Sequence, residues 1–370
     1  MWQILPLILL TTPYLAEMNM HPLYSTLQAL KNSRHQKAEN FLPVPEKNLE
    51  TQPVASTRIE KMGCLVLAGG QGTRLGVHGP KGCVELPLKE KKSLFQLLFE
   101  KIQAKGKTLH FAIMTSPLNH VGTVQYLEDN AYFGLDPKTI SIFQQGMIEV
   151  SDEEGYVFFD RPGQLAQAPS GNGHALYHFY QSGVWAKWQT AGIEVVQVLP
   201  IDNPLADPFD AELLGVHESS GVELVLKCIK RDDPEEKLGV IGVEEGLLTI
   251  REYSELTERM KHAKQGDKLQ FFLGYSGLFS CTMGFIEKVQ SVALPWHLAK
   301  KQGVRMTQVE GKWQSEKIPV WKFEAFIFDL FPYAETFQII LGDRKKCFAP
   351  LKNRTGPDSF EAVVQAINEK

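Results

Sequence analysis

Residues Cys64 to Ala68 form an uninterrupted apolar run that ends abruptly in Gly69-Gly70-Gln71-Gly72. Thr73-Arg74-Leu75-Gly76 and then Pro80-Lys81-Gly82 follow closely. An apolar run bounded by glycines reads as a buried strand opening onto a tight turn. Bare N–H groups in such a turn can approach an anion, and the arginine and lysine beside it carry the charge that phosphate oxygens require. The segment is therefore read as a nucleoside triphosphate site. The bland alternative is an ordinary strand-to-loop turn flanked by two surface cations.

Spacing excludes the other common glycine loops. No Lys-Ser or Lys-Thr pair follows the glycines, so a Walker A loop is absent. Counting from Gly70 and Gly72 puts Leu75 where the third glycine of a dinucleotide fingerprint belongs, which disfavours a Rossmann oxidoreductase. Glu90, at a plausible ribose-binding distance, sits in the polar run 89–92 and reads as solvated loop.

Leu67 to Gly76 with Pro80 to Gly82 resembles the sugar nucleotidyltransferase signature L-x-G-G-x-G-T-R-L-G followed by P-K-G. In detail the chain resembles the eukaryotic-type UDP-N-acetylhexosamine (UDP-N-acetylglucosamine) pyrophosphorylase family. Further segments match in family order: Met114-Thr115-Ser116, Phe143-Gln144-Gln145-Gly146, Gly171-Asn172-Gly173, Ile201-Asp202-Asn203, Glu252-Tyr253-Ser254-Glu255, Phe326-Ile327-Phe328-Asp329 and Pro350-Leu351-Lys352-Asn353. The resemblance implies a UTP-dependent uridylyltransferase that makes a UDP-sugar and pyrophosphate. N-acetylglucosamine 1-phosphate is the first acceptor, glucose 1-phosphate the alternative, and Mg2+ or Mn2+ the cofactor.

A chain of 370 residues with 43% hydrophobic residues can bury a large core, and its formal net charge of -4 gives no general attraction for polyanions. Nucleic acid and membrane are not expected partners. The five cysteines are scattered without C-x-x-C spacing, which fits reduced thiols in a cytoplasmic protein rather than a disulfide or zinc framework. Cys83 beside the Pro-Lys-Gly triplet reads as incidental, because attack by the substrate's own phosphate needs no protein nucleophile. The apolar stretch from Met1 to Leu15 has no cation before its core and is interrupted by Pro6 and Pro13. It reads as an extension, with Met18 and Met20 as alternative starts, rather than a signal peptide or membrane span.

From Gly63 onward, apolar strands alternate with amphipathic segments, the pattern of an α/β fold on a mostly parallel sheet. Strands are expected at 64–68, 109–114 and 195–201, and helices from Ser93, near 119–129 and at 359–368. Residues 223–230, 239–243 and 247–253 read as β-rich insertions. The resemblance specifies a three-layer, Rossmann-like nucleotide-diphospho-sugar transferase fold. The expected division is an N-terminal extension and linker over 1–60, with a helix followed by a Pro-containing stretch, then a catalytic domain over 61–300 and a small C-terminal lobe over 301–370 that completes the sugar-phosphate site.

Nucleotidyl transfer brings two anions together, so the catalyst must be an electrostatic clamp. Arg74 is assigned to the β- and γ-phosphates through its guanidinium fork, and Lys81 to the α-phosphate. Asp202, emerging after a buried strand, is placed to hold Mg2+, as the resemblance also implies. The alternative for Asp202 is a helix cap, for which Asp207-Pro208 is the better candidate. Leu67, Ala68, Gly69, Gly70, Gln71 and Gly72 form the UTP-binding turn. The resemblance adds Gln145 and Gly171 for uracil, Asn172, Glu252 and Tyr253 for the sugar, and Lys322 and Lys352 for phosphate contacts. Gln145 also reads as a buried polar residue and Lys322 as a solvated strand residue.

Two departures bear on specificity. Ser170-Gly171-Asn172-Gly173-His174 stands where the family has Asp-Gly-Asn-Gly-Gly, and Leu273-Gly274-Tyr275 where it has Ala-Gly-Asn. Tyr275 fills volume in the sugar pocket and changes its hydrogen-bond inventory, which opens the choice of acceptor and makes a catalytically silent sugar-nucleotide binder conceivable. His174 reads equally as a sugar contact or as the opening of a helix.

Overall fold

The computed structural model describes residues 27–30 and 40–369. The apolar stretch at the start of the chain lies outside them, as does most of the helix expected in the N-terminal extension.

By compactness the described residues divide into two units, one of residues 27–30, 147–170 and 296–324 and a larger one of 40–146, 171–295 and 325–369. The larger unit is built on a sheet whose main strands are β1 (Leu49–Glu50), β2 (Met62–Leu67), β3 (Phe111–Thr115), β4 (Ile140–Gln144), β5 (Val195–Pro200), β6 (Leu224–Lys230), β7 (Leu273–Thr282) and β8 (Phe337–Gly342). Their spatial order is β1-β8-β6-β7-β5-β2-β3-β4, and every pairing along it is parallel except the two that β7 makes. The three strands expected around the glycine turn are present as β2, β3 and β5, displaced by at most two residues.

Strand side chains alternate between two cores, which makes the unit a three-layer α/β structure. Leu65, Val196 and Val198 face one side, against Phe179 of α3 (Ala175–Gln181) and Trp185 and Trp188 of α4 (Val184–Thr190). Cys64, Val66, Phe111 and Ile113 face the other, against Phe95 and Phe99 of α1 (Leu94–Lys105) and Leu213 and Leu214 of α5 (Ala211–Ser220). Ser93 caps α1 by accepting from the Gln96 N–H at 2.9 Å, as its position predicts. Helix α2 is His120–Asp129, and α6, Phe360–Asn368, is capped by Ser359.

The smaller unit is antiparallel. Its five-stranded sheet runs Gln164–Leu165, Phe159–Arg161, His297–Val309, Lys312–Glu324 and Ser151–Asp152, dominated by the ribbon of the two 13-residue strands. Ile318 and Val320 pack on Phe158 and Ala168, and Leu27 packs on Phe323.

Several expectations change. Residues 40–60 are not only linker: Phe41–Leu42 pairs with Val240–Glu244, and β1 pairs with β8. Phe41 is buried and stacks on Phe271 at 5.3 Å, so packing recruits a segment whose prolines suggested a free connection. Residues 224–230 are no insertion but a central strand, since their near-continuous apolar run is buried on both faces. The boundary expected at 300/301 falls inside the strand His297–Val309, and β8 returns to the central sheet. Sequence alternation reveals strands but not their partners.

Candidate active site

The chain segments that follow β2, β3, β4 and β5 carry the glycine turn with Arg74 and Lys81, Ser116, Gln145 and Asp202, at the C-terminal ends of neighbouring parallel strands where open α/β sheets hold ligands. Beyond β2 the Ala68 N–H bonds the Met114 carbonyl at 2.8 Å, and the chain then turns. Buried Asn119 donates through Nδ2 to the carbonyls of Ala68 and Gly70, at 2.8 and 3.0 Å. Ser116 Oγ donates to the Gly69 carbonyl at 2.8 Å. Three successive carbonyls are thus held on the protein side. The N–H groups of Gly69, Gly70 and Gln71 have no hydrogen-bond partner among the described residues. Such a run of open amides suits an anion.

The turn is closed by Gly72 N–H to Gly79 O at 3.0 Å and Lys81 N–H to Gly70 O at 3.1 Å. A short 3-10 segment, Thr73–Leu75, lies between, anchored by buried Leu75 and ended by Gly76 in the left-handed region at φ 73°. Arg74 is exposed and forms no ion pair among the described residues. The side chain of Gln71 donates to Leu118 O at 2.8 Å, which leaves its backbone as the group facing a ligand. Gly82 has no room for a side chain, since a Cβ there would lie 2.2 Å from the buried Phe95 ring. That close approach fixes where Lys81 begins.

Lys81 Nζ donates to Asp202 Oδ2 at 2.9 Å, with side chains only 12% and 21% exposed. Asp202 is therefore an ion-pair partner rather than a cap. The cap of α5 is Asp210, which accepts from Glu212 N–H at 3.0 Å, and not Asp207, which pairs with Lys105. The Asp202 carbonyl accepts from Leu351 N–H at 2.7 Å, bringing the Pro350-Leu351-Lys352-Asn353 segment alongside. Lys352 is half-buried and faces Asp358 at 3.7 Å. Asn203 fastens the same segment, donating to Cys347 O and accepting from Ala349 N–H.

Gln145 follows β4, its N–H bonded to Thr115 O at 2.8 Å. Its amide lies against Gly69, where a Cβ would sit 2.4 Å from Nε2. His178 Nε2 accepts from the Gly146 N–H at 3.0 Å, which requires a neutral ring. Burial, and then the neighbouring His174, hold its pKa below the usual histidine value. Gly171, at φ 85°, bridges Ala325, and a Cβ there would lie 2.4 Å from the Ala325 carbonyl. Asn172 Oδ1 accepts from Ile327 N–H at 3.1 Å, so part of this predicted sugar ligand is committed to the backbone.

Tyr275, on β7, packs edge-on against Phe328 and Phe331, each at 5.9 Å between ring centres. Burial, and then the Glu252 carboxylate, push its phenol above the ordinary range, so it is neutral. Glu252 and Tyr253 lie in the loop after the strand Leu247–Arg251. His174 occupies the N-cap position of α3, but its side chain makes no capping bond. Lys322 lies in the smaller unit, opposite Ala299 in the ribbon. Burial pushes the Cys83 thiol up to about 12, which removes it as a nucleophile at neutral pH.

Sequence reasoning gave no role to Ser116, Asn119 and His178. The Ser-x-x-Asn spacing was visible, but only the fold shows that its side chains hold the glycine turn.

Residues 17–302 match the family model described as UTP--glucose-1-phosphate uridylyltransferase. The chain belongs to this family. Among curated members it is 33% identical over 337 residues to UDP-N-acetylglucosamine diphosphorylase 2 of Arabidopsis thaliana, covering 84% of this chain and 66% of that protein. It is 32% identical to UDP-N-acetylglucosamine pyrophosphorylase of Saccharomyces cerevisiae, over 79% of this chain and 64% of the yeast protein. The chain thus spans slightly less than two thirds of the length of these relatives. A uridine diphosphate N-acetylglucosamine pyrophosphorylase of Trypanosoma brucei, solved with an inhibitor, superposes with a TM-score of 0.77 at 25% identity, over 93% of this chain and 75% of that one. Among the described residues no helix is long and apolar enough to cross a membrane.

Proposed function

We propose that this family member transfers a uridylyl group from UTP to a sugar 1-phosphate, releasing pyrophosphate, with N-acetylglucosamine 1-phosphate as the first acceptor. The observation that carries this reading is the Lys81–Asp202 pair at 2.9 Å beside a glycine turn with three open amides. The names of the relatives support the same acceptor.

In this reading the open amides and Arg74 hold the triphosphate, while Gln145, with both a donor and an acceptor on one amide, reads the uracil edge. An oxygen of the sugar phosphate attacks the α-phosphorus, and the bond from that phosphorus to the pyrophosphate oxygen breaks in line. Lys81 follows the charge that develops on the α-phosphate oxygens, and Asp202 keeps the ammonium oriented beforehand. Glu252, Tyr253, Asn172 and Lys352 bind the acceptor.

Asp202 is the carboxylate that would hold Mg2+ or Mn2+. A lone hard-oxygen donor beside a phosphate site fits an ion that takes one or two carboxylates and draws its other ligands from phosphates and water. Such an ion would neutralise phosphate charge in the transition state.

Tyr275 favours a second reading, with glucose 1-phosphate as acceptor. Its ring occupies the position of a family asparagine and is wedged against Phe328 and Phe331. The test is pyrophosphate release from UTP with glucose, galactose, N-acetylglucosamine and N-acetylgalactosamine 1-phosphates, each with and without Mg2+. Release that requires both the acceptor and the metal, and falls in Asp202→Asn, is expected. UTP binding without release for any acceptor would instead indicate a silent binder.

A further inference from the structure

We propose that Arg354 is a second guanidinium for the outer phosphates of the donor and for the pyrophosphate that leaves. The proposal rests on the uridylyltransferase reading and adds a residue to it.

Arg354 approaches the glycine turn from the opposite end of the sequence. A Cβ built on Gly76 would lie 3.5 Å from Arg354 Nη1, so the guanidinium rests against the residue that ends the Thr73–Leu75 segment. Arg74 belongs to that segment. Neither arginine forms an ion pair among the described residues. Glu361 and Glu369 border the same surface hollow as Arg354, yet neither pairs with it. Neither guanidinium has a counter-charge among the described residues, and an anion with several oxygens would supply one.

The arginine sits on a built turn. Lys352 and Asn353 N–H both donate to Asp358 O, at 2.8 and 3.0 Å, and Asn353 Nδ2 donates to Pro357 O at 2.8 Å. Gly356 and Asp358 take left-handed conformations, at φ 78° and 57°. The turn is fastened next to Asp202 through the Leu351 N–H and leads into the Ser359 cap of α6. One turn therefore carries both Leu351, bonded to the Asp202 carbonyl, and Arg354, which lies against Gly76.

A residue that binds the outer phosphates discriminates among ligands. Equilibrium binding of UTP, inorganic pyrophosphate and UMP in Mg2+ buffer should be measured for the unaltered chain, Arg354→Met and Arg354→Lys. Arg354→Met should weaken UTP and pyrophosphate about 10-fold or more and leave UMP within about twofold, with Arg354→Lys between. Its thermal midpoint should not move, since the side chain is exposed. Unchanged UTP and pyrophosphate binding in Arg354→Met, or equal loss for UMP, would overturn the assignment alone. Absence of UTP binding by the unaltered chain would overturn the uridylyltransferase reading and this inference together.

Discussion

Gly69→Ala isolates the Gly69–Gln145 contact on which the proposed uracil recognition depends. The φ of Gly69 lies outside the left-handed region, so alanine is tolerated by the backbone and the new methyl acts by volume alone. It would stand 2.4 Å from Gln145 Nε2, 2.9 Å from Cδ and 3.3 Å from Oε1. To reach ordinary van der Waals separation the amide must retreat by about 1 Å. Gln145 is only 7% exposed and its N–H is tied to Thr115, so the retreat has to come from side-chain rotation, away from the base. If both hydrogen bonds to the uracil edge are lost, at about 0.5–1.5 kcal/mol each, the cost is about 1–3 kcal/mol. UTP affinity then falls about 5- to 150-fold. Calorimetric titration of UTP into wild type, Gly69→Ala, Gln145→Ala and the double variant provides the check. In the Gln145→Ala background the extra methyl meets no amide and should be silent. A Gly69→Ala loss that persists undiminished there would refute the steric argument and point to the methyl striking the ligand directly.

Lys81→Ala should lower kcat about 10²- to 10³-fold while changing UTP binding much less, because its charge acts on the transition state. Equal losses in single-turnover rate and in affinity would contradict this. Tyr275→Asn should raise kcat/KM for N-acetylglucosamine 1-phosphate relative to glucose 1-phosphate, and an unchanged ratio in competition assays would remove Tyr275 from the acceptor pocket. His178 has its pKa depressed in the folded state, so protonation on acidification favours the unfolded chain, whose histidine titrates at about 6.5. The bond to Gly146 N–H, and with it UTP affinity, should hold above about pH 6.5 and decline as pH falls through the lower folded value. His178→Gln should flatten that decline; an identical pH profile in the variant would exclude the contact.

Much of the site was legible because glycine and charge leave local marks. Gly69 and Gly82 stand where a Cβ would crowd Gln145 and Phe95, Gly76 stands where the backbone is left-handed, and Lys81 and Asp202 flank segments whose apolar runs announce buried strands. The supporting residues were not legible. Asn119 and Ser116 are unremarkable in sequence, and their task depends on β2 and β3 lying side by side. The same holds for residues 224–230, whose apolar run signals burial but not that β8, drawn from far along the chain, is its partner.

By itself the sequence determined the strand-and-turn character of the candidate phosphate site, because hydrophobic runs and missing side chains act over a few residues. Only the tertiary structure decided that Lys81 meets Asp202, that Gln145 leans on Gly69 and that Arg354 reaches Gly76. Those contacts join residues remote along the chain. Their distances follow from sheet order and helix packing, which local pattern cannot encode.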